Sequence, residues 1–201
     1  MMETLEQKIR KNAVTNGLIF GVIFLVLGIF LFYFVTSMTN NFWMITIVGP
    51  IGITFLIPLA ISIWLCFDLR KKIGGFWNFR QATTGIFIMF FVSYLLSTIG
   101  SLGFGTFIEP DQMSKMKTVY ASATSDYMKK QGVDQEKIDK QTADMESKFE
   151  DNRTPGKLAK GLGIAIIIDF VIALIYAAFF KKEKPLAVEG LDPDEGLDPT
   201  V

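Results

Sequence analysis

Histidine is absent from this chain and cysteine occurs once, at Cys66. Without histidine, the commonest general base and metal ligand is missing. A single cysteine can form neither an internal disulfide nor a thiolate metal cluster. Cys66 sits in an apolar run and reads as a small packing residue. No nucleophile elbow and no paired acidic motif of a membrane metalloprotease is present. The sequence therefore supports no enzyme class, and it implies no cofactor and no metal site.

The larger absence is of charge. From Asn12 to Phe67 there is no Asp, Glu, Lys or Arg, a run of 56 residues. A second charge-free run covers Gln81 to Ile108, and a third, Gly161 to Phe180, is interrupted only by Asp169. A soluble domain with 20% charged residues does not segregate them this way, so the chain is expected in a lipid bilayer. The 20 basic residues balance the 20 acidic ones, and no basic stripe interleaved with aromatics points to nucleic acid.

The first run is too long for one helix. At about 1.5 Å per residue it would reach roughly 84 Å, against a hydrocarbon core of about 30 Å. Thr36-Ser37-Met38-Thr39-Asn40-Asn41 is its only polar interruption. It divides the run into a span near Gly17–Val35 and another near Trp43–Cys66, joined by a tight turn. Pro50 and Pro58 should kink the second. Gln81–Ile108 gives a third span and Leu158–Phe180 a fourth. Trp43, Trp64, Trp77, Tyr33 and Tyr176 fall near span ends, as interfacial aromatics do.

The fold expected is all-α: a four-helix transmembrane bundle with an extracytoplasmic helical hairpin inserted between helices 3 and 4. Residues 1–16 form a cytoplasmic N-terminal segment, 17–108 transmembrane helices one to three, 109–157 the hairpin, 158–180 the fourth helix and 181–201 a disordered cytoplasmic tail. The first span exceeds a signal-peptide core and lacks a following cleavage site, so it is read as uncleaved. Lys8, Arg10, Lys11, Arg70, Lys71, Lys72, Arg80, Lys181, Lys182 and Lys184 flank one side of the spans. The opposite side carries Lys115, Lys117, Lys148, Arg153, Lys157 and Lys160 near its membrane ends. The larger set marks the cytoplasm, which places both termini there.

In the long loop, Met113, Met116, Tyr120, Ala123 and Tyr127 step by three or four, and Ile138, Thr142, Met145 and Phe149 repeat likewise. Pro110 fits a first helical position and Gly132 a residue just past a helix end. Asp134 fits a cap on the second helix. The stripes either pack on each other or rest on the membrane surface, or else Met113, Met116, Tyr120 and Tyr127 form a face for an envelope protein partner, within residues 110–152. The tail holds a short tandem repeat, Glu189-Gly-Leu-Asp-Pro and Glu195-Gly-Leu-Asp-Pro.

Asp169 is the one ionisable residue at mid-membrane depth. Such a residue costs about 2.5–3.5 kcal/mol on insertion scales and should face the bundle. No Lys or Arg lies at that depth, so it is expected to be protonated unless a cation is bound. Its candidate neighbours are Ser93, Tyr94, Ser97 and Thr98 in span three and Thr54 and Ser62 in span two. It reads either as interhelical glue or as a proton or cation site. Close-approach faces are Gly17, Gly21 and Gly28 in span one, Ser93 and Ser97 in span three, and Ala173 and Ala177 in span four. Gly74-Gly75 reads as a turn.

Gly75-Phe76-Trp77-Asn78-Phe79-Arg80-Gln81-Ala82-Thr83-Thr84-Gly85, entering span three, and Phe107-Ile108-Glu109-Pro110, leaving it, resemble an uncharacterised four-span family. That family is a domain of unknown function typical of Bacteroidetes inner membranes. The likeness covers about residues 10–182 and implies a bacterial inner-membrane location and the same four-span layout. It carries over no catalytic residues. The expectation is a non-enzymatic scaffold of the cell envelope, with homo-oligomers open. The alternative is a small transporter or ion-conducting oligomer that uses Asp169.

Overall fold

The structure is a computed structural model that describes residues 4–148 and 155–183. Phe149 and the tandem-repeat tail from residue 184 onward lie outside the described residues. The chain is all-helical, with one isolated bridge, Trp77 with Lys182, among the described residues. Four helices are long and apolar enough to cross a membrane: Leu5–Met38, Met44–Lys72, Phe79–Ile108 and Gly156–Phe180. Large apolar side chains such as Val26, Phe55, Trp64, Ile167 and Phe179 stand on their outer surfaces. Lipid, not water, is the solvent that tolerates so much exposed apolar area.

Span one is α1 (Leu5–Tyr33) continued by a π-helical segment, π1 (Phe34–Met38). The helix starts well before residue 17 because Thr4 and Gln7 form a capping box, which satisfies its first free amides. Span two is built from π2 (Met44–Val48), π3 (Pro50–Leu56) and α2 (Ile57–Lys72). Each proline falls within the first two positions of its segment. The helix runs through both, since Gly49 and Leu56 before them are themselves helical, and the wider π turn takes up the ring. The turn between the spans shortens to Thr39–Asn41, where Asn41 accepts from the amides of Trp43 and Met44.

Span three is α3 (Phe79–Gly103) and π4 (Phe104–Ile108), and Asn78 with Gln81 makes a second capping box at its start. After it come α4 (Gln112–Lys130), α5 (Gln135–Lys148) and α6 (Pro155–Phe180). Pro110 lies in the turn before α4 rather than in its first turn. Gly132, at φ +72°, ends the hairpin's first helix as its sequence position suggests, and α5 starts directly after Asp134.

The central pair is α1 against α3, with α6 on α3 and α2 with π3 on α1. Glycine makes the central contact possible. A Cβ at Gly17 would stand 2.7 Å from the Met89 carbonyl oxygen, and one at Gly21 would stand 3.0 Å from Leu96. In lipid there is no hydrophobic gain between helices, so close van der Waals packing carries the association. Gly28 has no neighbour within 4 Å of that position, so the glycine face serves α3 only along its first half. Ala173 and Ala177 are fully buried where α6 meets the bundle.

Packing differs between the two ends of the bundle. At the end holding residues 4 and 183, Ile9, Ala13, Leu65, Leu69, Trp77, Ala82, Ile86 and Ala177 form one continuous core. Trp77, expected as an interfacial aromatic, is only 2% exposed. Its indole donates to the Phe180 carbonyl at 2.8 Å, and its backbone exchanges two hydrogen bonds with Lys182. This seals the open carbonyl end of α6. Gly74 and Gly75, at φ +104° and +84°, make the turn that brings Trp77 there. Gly85 leaves room for it, since a Cβ would meet Ile9, Leu69 and the Trp77 ring at 3.1–3.3 Å. The motif entering span three is thus a turn, a latch, a cap and a close approach.

At the other end, α4 lies across the tips of spans one and two. Val35, Ile45 and Ala123 are buried together, with Phe34, Met116 and Tyr120 around them. Tyr127 stacks on Phe42, with centroids 4.1 Å apart, and meets Trp43 edge-on. A different side of α4 receives α5, where Ile138 is buried and Thr124 reaches the Met145 sulfur at 3.6 Å.

Candidate functional site

Between these two packed ends the bundle opens. A cavity of about 430 Å³ is lined by all four spans. Helical spacing selects its walls: Phe20 and Phe24 from α1; Phe90, Ser93, Tyr94 and Ser97 from α3; Asp169, Ile172 and Tyr176 from α6. Span two contributes Thr54, Phe55, Pro58, Leu59 and Ser62. The first two belong to π3, so the widened turn borders the cavity, a position where such turns often accompany function.

The floor is closed. Tyr176 hydroxyl and Ser62 Oγ lie 2.7 Å apart, joining α6 to α2, and Ser62 also donates to the Leu59 carbonyl. The Tyr176 ring stands edge-on to Phe90 and stacks on Phe180. Beneath it, Leu65, Cys66 and Leu69 are buried.

Among the described residues, Asp169 is the only carboxyl in the lining, and no Lys or Arg lines it. Its Oδ2 is buried with no hydrogen-bond partner among the described residues. A polar atom in that position is costly unless something satisfies it. Of the neighbours expected from sequence, Ser93, Tyr94, Ser97, Thr54 and Ser62 share the cavity with Asp169. Thr98 does not. It lines a second groove of about 390 Å³ between α1 and α3, with Leu25, Gly28, Ser101 and Gln112. Phe24, Tyr94 and Ser97 line both spaces, so the groove adjoins the cavity on the hairpin side.

Of the aromatic walls the sequence reading singled out Tyr94 alone as a neighbour of Asp169; Tyr176, expected as an interfacial aromatic, instead packs against the core and lines the cavity. Their signal is the spacing of 3 and 4 that links Asp169, Ile172 and Tyr176, and the interval of four between Phe20 and Phe24. A second polar cluster also escaped it. Asn16, fully buried, donates to the Leu65 carbonyl and to Asp68, and accepts from Lys72. Lys72 pairs with Asp68 at 2.6 Å. The i,i+4 spacing of the last two was legible; their reach to Asn16 across 52 residues of sequence was not. On the hairpin, Met116, Tyr120 and Tyr127 face the chain's own spans, and Met113 is half-buried.

These contacts all fall within one family match. The profile of a family of proteins of unknown function, DUF4199, matches residues 15–182. The chain belongs to the DUF4199 family. No curated protein and no solved structure matches it. The DUF4199 region begins one residue before Asn16 and ends at Lys182, the residue paired with Trp77. It thus takes in the cavity, the Asn16 cluster, the latch and the hairpin.

Proposed function

We propose that this DUF4199 protein is a non-enzymatic membrane protein that holds a small ligand or ion at mid-membrane depth, with Asp169 as the charge-bearing group. One observation carries the reading: a lone carboxyl, with a buried oxygen that no protein group satisfies, lines a cavity shared by all four spans. Intramembrane acids mark ion and substrate sites when they face a cavity. The glue role would give Asp169 a partner on another helix, and Oδ2 has none. The adjoining groove offers a hydroxyl-bearing route from the hairpin side, while the floor is packed.

The scaffold reading draws less support, because three residues of its expected docking face are engaged within the chain. The location we propose is a bacterial inner membrane, termini cytoplasmic and hairpin outside. The basic residues Lys8, Arg10, Lys11, Arg70, Lys71, Lys72, Arg80, Lys181 and Lys182 favour it.

Asp169→Asn in proteoliposomes tests the function. Wild type is expected to show proton- or cation-dependent flux that the variant loses. Equal flux in both proteins would sink the reading. Deleting residues 113–149 tests the scaffold: unchanged crosslinked partners in native membranes would dispose of it.

A further inference from the structure

The chemistry of the cavity narrows what it can hold. Among the described residues, no group of three His, Cys, Asp or Glu could hold a metal ion, and a divalent metal asks for several such donors. One carboxyl with no countercharge complements a single positive charge. The rest of the wall combines aromatic rings, Phe20, Phe24, Phe55, Phe90, Tyr94 and Tyr176, with aliphatic side chains and the hydroxyls of Thr54, Ser62, Ser93 and Ser97. Ring faces attract a diffuse cation and bury its apolar substituents. A volume of about 430 Å³ lies in the range of small-molecule sites.

We propose that this cavity binds a monovalent organic cation bearing apolar substituents, its charge against Asp169 and its substituents between the phenyl rings. The proposal rests on reading the Asp169 cavity as a ligand site and names the class of ligand. Entry from the bilayer is open to such a ligand. Phe55, on the π-helical part of span two, is 61% exposed on the outer surface while also lining the cavity.

The test is equilibrium binding of radiolabelled tetraphenylphosphonium to the full chain in dodecyl maltoside, a non-ionic detergent free of competing lipid ammonium groups. Saturable binding is expected, weakened at least tenfold in Asp169→Asn and largely retained in Asp169→Glu. Excess triphenylphosphine oxide, which is neutral, should not displace the probe. Phe55→Ala, at an exposed position that leaves the buried core intact, should weaken binding severalfold. Equal binding by Asp169→Asn overturns the proposal, as does displacement by the oxide. So does an absence of saturable binding by protein that still melts cooperatively. The flux assay separates the two levels. Flux that depends on Asp169 without tetraphenylphosphonium binding overturns the ligand class alone, and absence of both overturns the site.

Discussion

The Tyr176 hydroxyl lies 2.7 Å from Ser62 Oγ, and this contact joins α2 to α6 directly beneath the Asp169 cavity. Nearer the end of the bundle the same two helices meet again, where the Phe67 and Phe180 rings stand edge-on with centroids 4.9 Å apart and Arg70 donates to the Phe180 carbonyl. The Tyr176–Ser62 bond is the α2–α6 contact that lies at the cavity floor itself.

Tyr176→Phe keeps the ring contacts with Phe90 and Phe180 and removes only that bond. Interhelical hydrogen bonds in membranes average about 0.6 kcal/mol. A double-mutant cycle with Ser62→Ala, read from melting in detergent, should return a coupling of about 0.5–1 kcal/mol. A coupling of zero would mean that the two helices hold their spacing without it.

Gly17→Leu should be far more damaging than Gly28→Leu. At Gly17 the new Cβ would press on backbone, the Met89 carbonyl at 2.7 Å, whereas Gly28 has open space. Overpacking costs typically about 1–3 kcal/mol. The expected result is a lower melting temperature for Gly17→Leu and little change for Gly28→Leu; similar melts would contradict the α1–α3 contact.

Trp77→Phe removes the indole donor from the Phe180 carbonyl, which keeps only the longer 3.4 Å bond from Arg70. A cost of about 0.5–1.5 kcal/mol is expected. The chain after Lys182 should become more open to limited proteolysis, and unchanged cleavage would count against the latch.

Glu109 ties span three to the hairpin and span one. Lys115 Nζ donates to it at 2.6 Å and the Tyr33 hydroxyl at 3.2 Å. The hydrogen bond from Lys115 holds its carboxyl below the ordinary value of 4.5. The same contact raises Lys115 above its ordinary 10.5. A depressed carboxyl stabilises above its unfolded value and loses that contribution as pH falls through its folded value; a raised amine loses its share only as pH climbs past its folded value. Hydrogen-exchange protection in α4, after correction for the intrinsic pH dependence of exchange, should therefore fall below about pH 4.5, and Glu109→Gln should flatten the change. A wild-type profile identical to that variant's would remove the pair from the docking account.

Sidedness can be read with single cysteines, because Cys66 is fully buried. Lys130→Cys on the hairpin is expected to react with a membrane-impermeant maleimide in intact cells, and Lys71→Cys only after lysis. The reverse pattern would invert the topology.

The charge map alone determined the four spans and the excursion between the third and fourth. A bilayer excludes charge over a fixed thickness, so runs without charge report span length directly. Local chemistry was equally legible: Gly74-Gly75 turn, Gly132 ends a helix, and the hairpin repeats predict its two helices. The sequence also supplied Asp169 and its hydroxyl-bearing neighbours as candidates. It could not place Thr98 outside the cavity, or turn Trp77 from the interface into the core. Nor could it join Asn16 to Asp68 or give the Met116–Tyr127 stripe to the chain's own span tips. In a bilayer every face of an apolar helix is acceptable to the solvent, so hydrophobicity does not say which face meets a neighbour. Close approach at Gly17 and Gly21, and the few polar atoms that need partners, decide that. Only when they had set α1 against α3 did a space remain beside Asp169.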